Sequence, residues 1–171
     1  MMMTTESTRT YTWRDPAPSA QTGLLMKGID YLNAMIRGEI PPPPISRTLN
    51  FVLAEVERGR AVFTCKPDEF HYNPIGTVHG GLACTLLDSA LACAVHTLLD
   101  TGVGYTSVEM KINFVRPITA HVGMLRAEGK IITFGSTLAT SEGRITDVNG
   151  KIYAFATETC LILREKADKS A

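Results

Sequence analysis

The chain has no excess charge of either sign: 17 Lys and Arg balance 17 Asp and Glu in 171 residues. Nucleic-acid proteins usually carry a basic excess or stripe, so that class is disfavoured. A small anionic ligand needs only two or three local cations and is not excluded. Its four cysteines (Cys65, Cys84, Cys93, Cys160) form no Cys-x-x-Cys pair, so neither a disulfide framework nor a paired-thiolate metal site is expected. His71 and His121 have no partners at ligand spacing, so no metal site is expected there either. The stretch MMMTTESTRTYTWRDPAPS lacks the apolar core of a secretory signal. The run Gly80 to Leu99 is long enough to span a bilayer but holds Asp88, Ser89 and His96, which argues against membrane insertion. A cytoplasmic protein is expected. There is no internal repeat, and no biased segment beyond Pro41 to Pro44.

What is present suits one folded domain: 44% hydrophobic and 20% charged residues are close to globular averages. Residues 1–20 are polar and read as a loose arm, residues 21–164 as the domain, and residues 165–171 as a charged tail. Thr22 is a candidate N-cap for a helix to Arg37, with Leu25, Ile29, Leu32 and Ile36 on one face and Gly38 as the stop. The prolines predict a stiff extended connector. From Ile45 the period changes to two, which predicts a strand through Leu49, Phe51 and Leu53, then a second over Ala61 to Lys66. A long helix follows from His79 to Leu99. It is apolar on nearly every side, and so should be buried on nearly every side. Four more strands are expected over Ser107–Val115, Gly123–Phe134, Ser136–Thr146 and Lys151–Leu163, with Asn149-Gly150 as a type I′ hairpin signal. In the first of these, Val108, Met110, Ile112 and Phe114 alternate with Ser107, Glu109, Lys111 and Asn113. The order predicts an α+β fold: a curved antiparallel sheet of about six strands wrapped around the long helix, with an extra N-terminal helix.

The helix carries a single carboxylate, Asp88, with no cation one turn away, since Cys84 and Ala92 occupy those positions. An unpaired buried carboxylate is costly, and function is a recognised reason to keep one. The pattern Asn73…His79-Gly80-Gly81-x₆-Asp88 and the strand S-V-E-M-K-I-N-F-V-R-P (107–117) resemble the hotdog-fold thioesterases of the phenylacetic-acid-degradation (PaaI) type. The resemblance covers Gly23 to Leu163. It implies hydrolysis of an acyl-coenzyme A thioester to free acid and coenzyme A, with no cofactor. It implies Asp88 as nucleophile or general base and a helix-start amide as carbonyl donor, Gly80 ahead of Gly81. Asn73 would orient water or carboxylate, and Ser107 (or Thr106) would stand near the attacking water. It also implies a homodimer, often paired into a tetramer.

Elementary physics bears on the same residues. First-turn N–H groups have no intrahelical partner and lie at the positive end of the helix dipole, where a thioester oxyanion would be stabilised. Glycine permits close approach to that backbone. Gly80 and Asp88 are eight residues apart, roughly 12 Å along one helix axis at about 1.5 Å per residue. Reacting groups must come within about 3–3.5 Å. If both groups act together, a second subunit must supply one of them across a two-fold axis. His79 is a candidate helix cap or substrate contact, and His96 a core or interface residue. Arg116, Asn113 and Lys130 are candidates for coenzyme A, and Leu82 with Leu86 for the acyl pocket. Cys84 lies near Asp88 but is not expected to be a nucleophile. The alternative reading is a hotdog protein that binds acyl-coenzyme A without hydrolysing it. A hotdog hydratase is disfavoured because Asp88 follows His79 by nine residues instead of preceding a His by five.

Overall fold

The computed structural model describes residues 6–164; the expected charged tail (165–171) and the first five residues of the arm lie outside them. Six strands form one antiparallel sheet: β1 (Phe51–Glu57), β2 (Arg60–Cys65), β3 (Gly104–Phe114), β4 (Leu125–Phe134), β5 (Leu138–Thr146) and β6 (Ile152–Leu163). Their spatial order is β1-β2-β4-β5-β6-β3. Three helices, α1 (Ala17–Leu24), α2 (Gly28–Ile36) and α3 (Pro44–Thr48), precede the sheet, and α4 (Gly80–His96) packs on its concave side. The α+β architecture expected from the sequence is therefore present. No helix among the described residues is long and apolar enough to cross a membrane.

The helix α4 begins where His79, its N-cap, accepts the Gly81 N–H on Nδ1 at 2.8 Å. Leu82, Leu86, Leu87 and Leu91 turn one side of it into the core, against Leu125, Ala127, Ile145 and Ala156 of the sheet, and Val95 packs with Ala139, Cys160 and Ile162. Each such side chain contributes about 1.5–3 kcal/mol by leaving water. The helix lies so close to β4 that a Cβ on Gly129 would stand 2.4 Å from the Ala90 carbonyl oxygen. Only glycine fits there.

Several local expectations are corrected. The leading helix is two helices, and α1 starts at Ala17, inside the stretch expected as a loose arm. The break at residues 25–27 arises because the chain docks on the end of α4. Gly28 N–H donates to the Leu99 carbonyl and Gly102 N–H to the Leu24 carbonyl, and a Cβ on Gly28 would lie 1.8 Å from the His96 oxygen. Pro44 is not the end of an extended connector but opens α3, as the fixed φ of proline allows in a first turn, so β1 starts at Phe51 and not at Ile45. The Asn149-Gly150 turn is not type I′, which needs two positive φ angles: only Gly150 has one (φ 80°). Asp147 Oδ1 instead accepts the N–H groups of Asn149 and Lys151 and holds a wider turn. Finally, α4 is not covered on all sides. Its strip through Gly81, Cys84, Thr85, Asp88 and Ser89 is open or only half covered, and Asp88 itself is exposed. A sheet can cover only one side of a helix, so in a single chain the opposite strip is left bare.

Candidate active site

Two hollows flank α4. Near its start, His79, Gly80, Ala83, Phe114, Arg116 and Tyr153 surround a depression of about 300 Å³. Gly80 is the first helical residue, and its N–H has no backbone acceptor among the described residues. The next amide, Gly81, is occupied by His79. The cap thus leaves one donor, not two, pointing from the dipole's positive end. Phe114 stacks over this glycine, 3.2 Å from where a Cβ would be. Arg116 sits beside it and donates to the Ile152 carbonyl.

The second hollow, about 400 Å³, is walled by Tyr31, Leu32 and Met35 of α2, the prolines 41–43, Phe51 and Phe63 of the sheet, and Asp88, Ala92, Cys93 and His96 of α4. Arg14, Asp15 and Pro16 form part of its rim. The lining is mostly apolar; its polar side chains are Asp88, Ser89 and His96 of α4, Ser19 of α1, Tyr31 and Tyr105, and Arg14 and Asp15 at the rim. Although Asp88 is exposed, the protein around it strips part of its hydration and pushes the carboxyl up from its ordinary value, and the Ser107 hydroxyl pulls it back. His96 lies between the rings of Tyr31 and Tyr105, and burial lowers it to about 4, so it is a neutral wall residue near pH 7. Burial raises the Cys84 thiol and pushes Cys93 up to about 12, which keeps both protonated and poorly nucleophilic.

Ser107 reaches this site through a departure from strict alternation. A register shift between Ser107 and Glu109 marks a β-bulge in β3. Across that bulge Ser107 shares the inner face with Met110, Ile112 and Phe114, while Val108 is turned out and 56% exposed. The expected alternation, with Ser107 opposite Met110, is therefore corrected: the extra residue inverts the parity. Ser107 Oγ makes a direct hydrogen bond with Glu158 Oε1. Glu158, on β6, is 1% exposed. Sequence reasoning missed it, although period two places it with Ala154, Ala156, Cys160 and Ile162, an acid on an otherwise apolar face.

The remaining candidates are not gathered here. Asn73 is used within its own loop: Oδ1 accepts the Ile75 N–H at 3.0 Å and Nδ2 donates to Thr77 Oγ1 at 3.2 Å. Lys130 lies on the outer face of β4 and pairs with Glu128 at 2.8 Å, in a network with Arg60, Arg126 and Glu55. Asn113 is exposed on the outer side of β3 beside Phe155. Leu82 and Leu86, expected to line the acyl pocket, are buried against the sheet instead. His71, expected in a loop, is a buried structural residue whose Nε2 lies 2.8 Å from the Leu49 carbonyl oxygen. Among the described residues, no three His, Cys, Asp or Glu side chains are grouped to hold a metal ion.

Comparison with known proteins bears on the whole arrangement. The family model of the thioesterase superfamily matches residues 75–154, from the loop before α4 into β6. Acyl-coenzyme A thioesterase 13 of Homo sapiens is 32% identical over 115 residues, spanning 63% of this chain and 76% of that protein. The crystal structure of a phenylacetic acid degradation-related protein from Ralstonia eutropha JMP134 superposes with a TM-score of 0.69 at 30% identity, covering 77% of this chain and 98% of that one. The PaaI protein of E. coli has the same fold, with a TM-score of 0.69 at 22% identity over 81% of this chain and 96% of its own.

Proposed function

Since this chain belongs to the thioesterase superfamily, we propose that it hydrolyses acyl-coenzyme A thioesters with an aromatic or medium-length acyl group. The observation that carries this reading is Asp88, a carboxylate with no ion pair among the described residues, on the bare strip of α4 and at the wall of a mostly apolar cavity of about 400 Å³. Asp88 either attacks the acyl carbon, giving a mixed anhydride that a water then hydrolyses to free acid and regenerated Asp88, or deprotonates a water that attacks the acyl carbon directly. In both routes the thioester C–S bond breaks, the water's oxygen ends up in the products' carboxyl groups, and coenzyme A leaves as the thiol with a proton from that water. The Gly80 N–H stabilises the carbonyl oxygen as charge develops on it. Arg116, beside Gly80, meets a phosphate of coenzyme A. The chemistry requires no metal or cofactor.

The site is composite. Gly80 and Asp88 face different hollows and stand roughly 12 Å apart on one straight helix, so each pairs with its counterpart from a second copy. The bare strip of α4 is the surface that such a copy would cover, and the two-fold gives two equivalent sites. Aromatic, aliphatic and short acyl-coenzyme A thioesters, each followed by release of free thiol, test the reading. Turnover should be found with the wild type and lost in Asp88→Asn, with binding retained. If the wild type binds acyl-coenzyme A but turns over none of the series, the chain is a binding protein and the proposal is wrong.

A further inference from the structure

The carboxyl of Glu158 is a buried titratable group that the reaction above leaves unused. It projects from β6 toward α4, and its titratable neighbours are Asp88 and Cys93 from α4, Tyr105 and Glu109 from β3, and Cys160 on its own strand. None of these is a cation. Its Oε1 contacts Ser107 Oγ and lies 3.4 Å from Cys160 Sγ, and its Oε2 has no partner among the described residues. Ser141, paired opposite it on β5, is likewise buried without a partner for Oγ. An ionised carboxylate with one bare oxygen and no cation nearby is a costly group to bury. A neutral acid in the same place costs far less.

We propose that Glu158 is a positioning residue for hydrolysis: as a neutral acid it donates its O–H to Ser107 Oγ, and Ser107 then donates its own hydroxyl proton to the Asp88 carboxylate. The inference rests on the reading of Asp88 as the reacting carboxylate. A serine hydroxyl has one proton and can donate it to one acceptor at a time. When Glu158 is neutral, the chain of donation runs Glu158 to Ser107 to Asp88, and Asp88 is held ionised in one orientation. When Glu158 is ionised, Ser107 turns to it, and Asp88 loses its donor while gaining a like charge nearby. Burial, together with the neighbouring Asp88 charge, pushes the Glu158 carboxyl up to about 7, so the switch between these states falls near neutral pH.

The sign follows. Glu158 is neutral below about pH 7 and ionised above it, so wild-type kcat should fall on the alkaline side, by about tenfold per pH unit once the neutral form is scarce. KM should change little. In Glu158→Gln the amide N–H donates to Ser107 at every pH, so the alkaline limb should disappear and kcat well above pH 7 should exceed that of the wild type. A purely structural role would not produce that reversal. Independently of turnover, infrared spectra of the wild type should show a protonated-carboxyl C=O band that titrates near pH 7 and is absent in Glu158→Gln. In Asp88→Asn, with the like charge removed, the band should titrate at lower pH. The proposal is overturned if the wild type lacks the band at pH 6, or if Glu158→Gln keeps the alkaline limb or is inactive at all pH. If Asp88→Asn stays active while the band behaves as described, the reading of Asp88 fails and the neutral acid stands, which separates the two claims.

Discussion

Replacing Gly80 by proline would test the composite site most directly. Gly80 is the first residue of α4, after His79 at φ −62° and ψ 136°. An extended residue is what precedes proline comfortably, and the first helical position is where proline is best tolerated. The substitution deletes the N–H that lacks an acceptor and no helical hydrogen bond. An added Cβ meets only the exposed Phe114 side chain, whose edge lies 3.2 Å from it. Losing one oxyanion donor lowers kcat about 10²–10³-fold, or about 2.7–4 kcal/mol in the barrier, while the thermal midpoint should stay near that of the wild type. Asp88→Asn is the complementary lesion. Mixing the two inactive variants and allowing subunits to exchange leaves about half of the dimers mixed, each with one intact site of two, so about one quarter of wild-type activity returns. Free-thiol release measures the recovery, and native mass spectrometry confirms that exchange took place. Complete exchange with no activity above the parents would refute the shared site, and with it the argument from helix length.

Three further substitutions probe the two hollows and the outer face. Met35→Trp places a larger side chain in the wall of the Asp88 cavity, so kcat/KM should shift by about tenfold or more toward shorter acyl groups in competition assays; an unchanged preference would mean that the acyl group lies elsewhere. Arg116→Ala should raise KM for acyl-coenzyme A about tenfold, the worth of a charge-assisted hydrogen bond. Lys130→Ala, which breaks only an outer-face pair with Glu128, should leave kcat and KM as they are. The reverse pattern would reassign the coenzyme A contacts.

How far the sequence could be read depended on the range of the forces involved. Helix α4, its glycine start and the four strands after it were legible because period, cap and turn signals are local. What escaped was set by contacts distant in sequence. The leading helix breaks because Gly28 abuts the last turn of α4, and nothing within residues 22–37 announces that. A period-two reading of β3 put Ser107 on the wrong face because a bulge is one inserted residue with no strong sequence signature. Lys130 looked like any basic residue until β2 and β1 brought Arg60 and Glu55 beside Glu128.

The missed Glu158 is different in kind. Its alternation with Ala156 and Cys160 was on view, and a polar residue among inward-facing apolar ones is the same signal that drew attention to Asp88. The two acids differ in what surrounds them. Asp88 sits on a bare strip, open to solvent, whereas Glu158 is sealed beneath Ser107 with one oxygen unpaired among the described residues. Two carboxyl groups on either side of one hydroxyl cannot both be ionised cheaply. The more accessible one keeps the charge, since water and the serine both stabilise it there, and the sealed one keeps the proton. That division follows from the difference in burial, the single hydroxyl proton the two share and their mutual repulsion. On the proposed reading, the charged Asp88 is the carboxylate that attacks or that activates the water, and Glu158 is the group whose ionisation would undo that state.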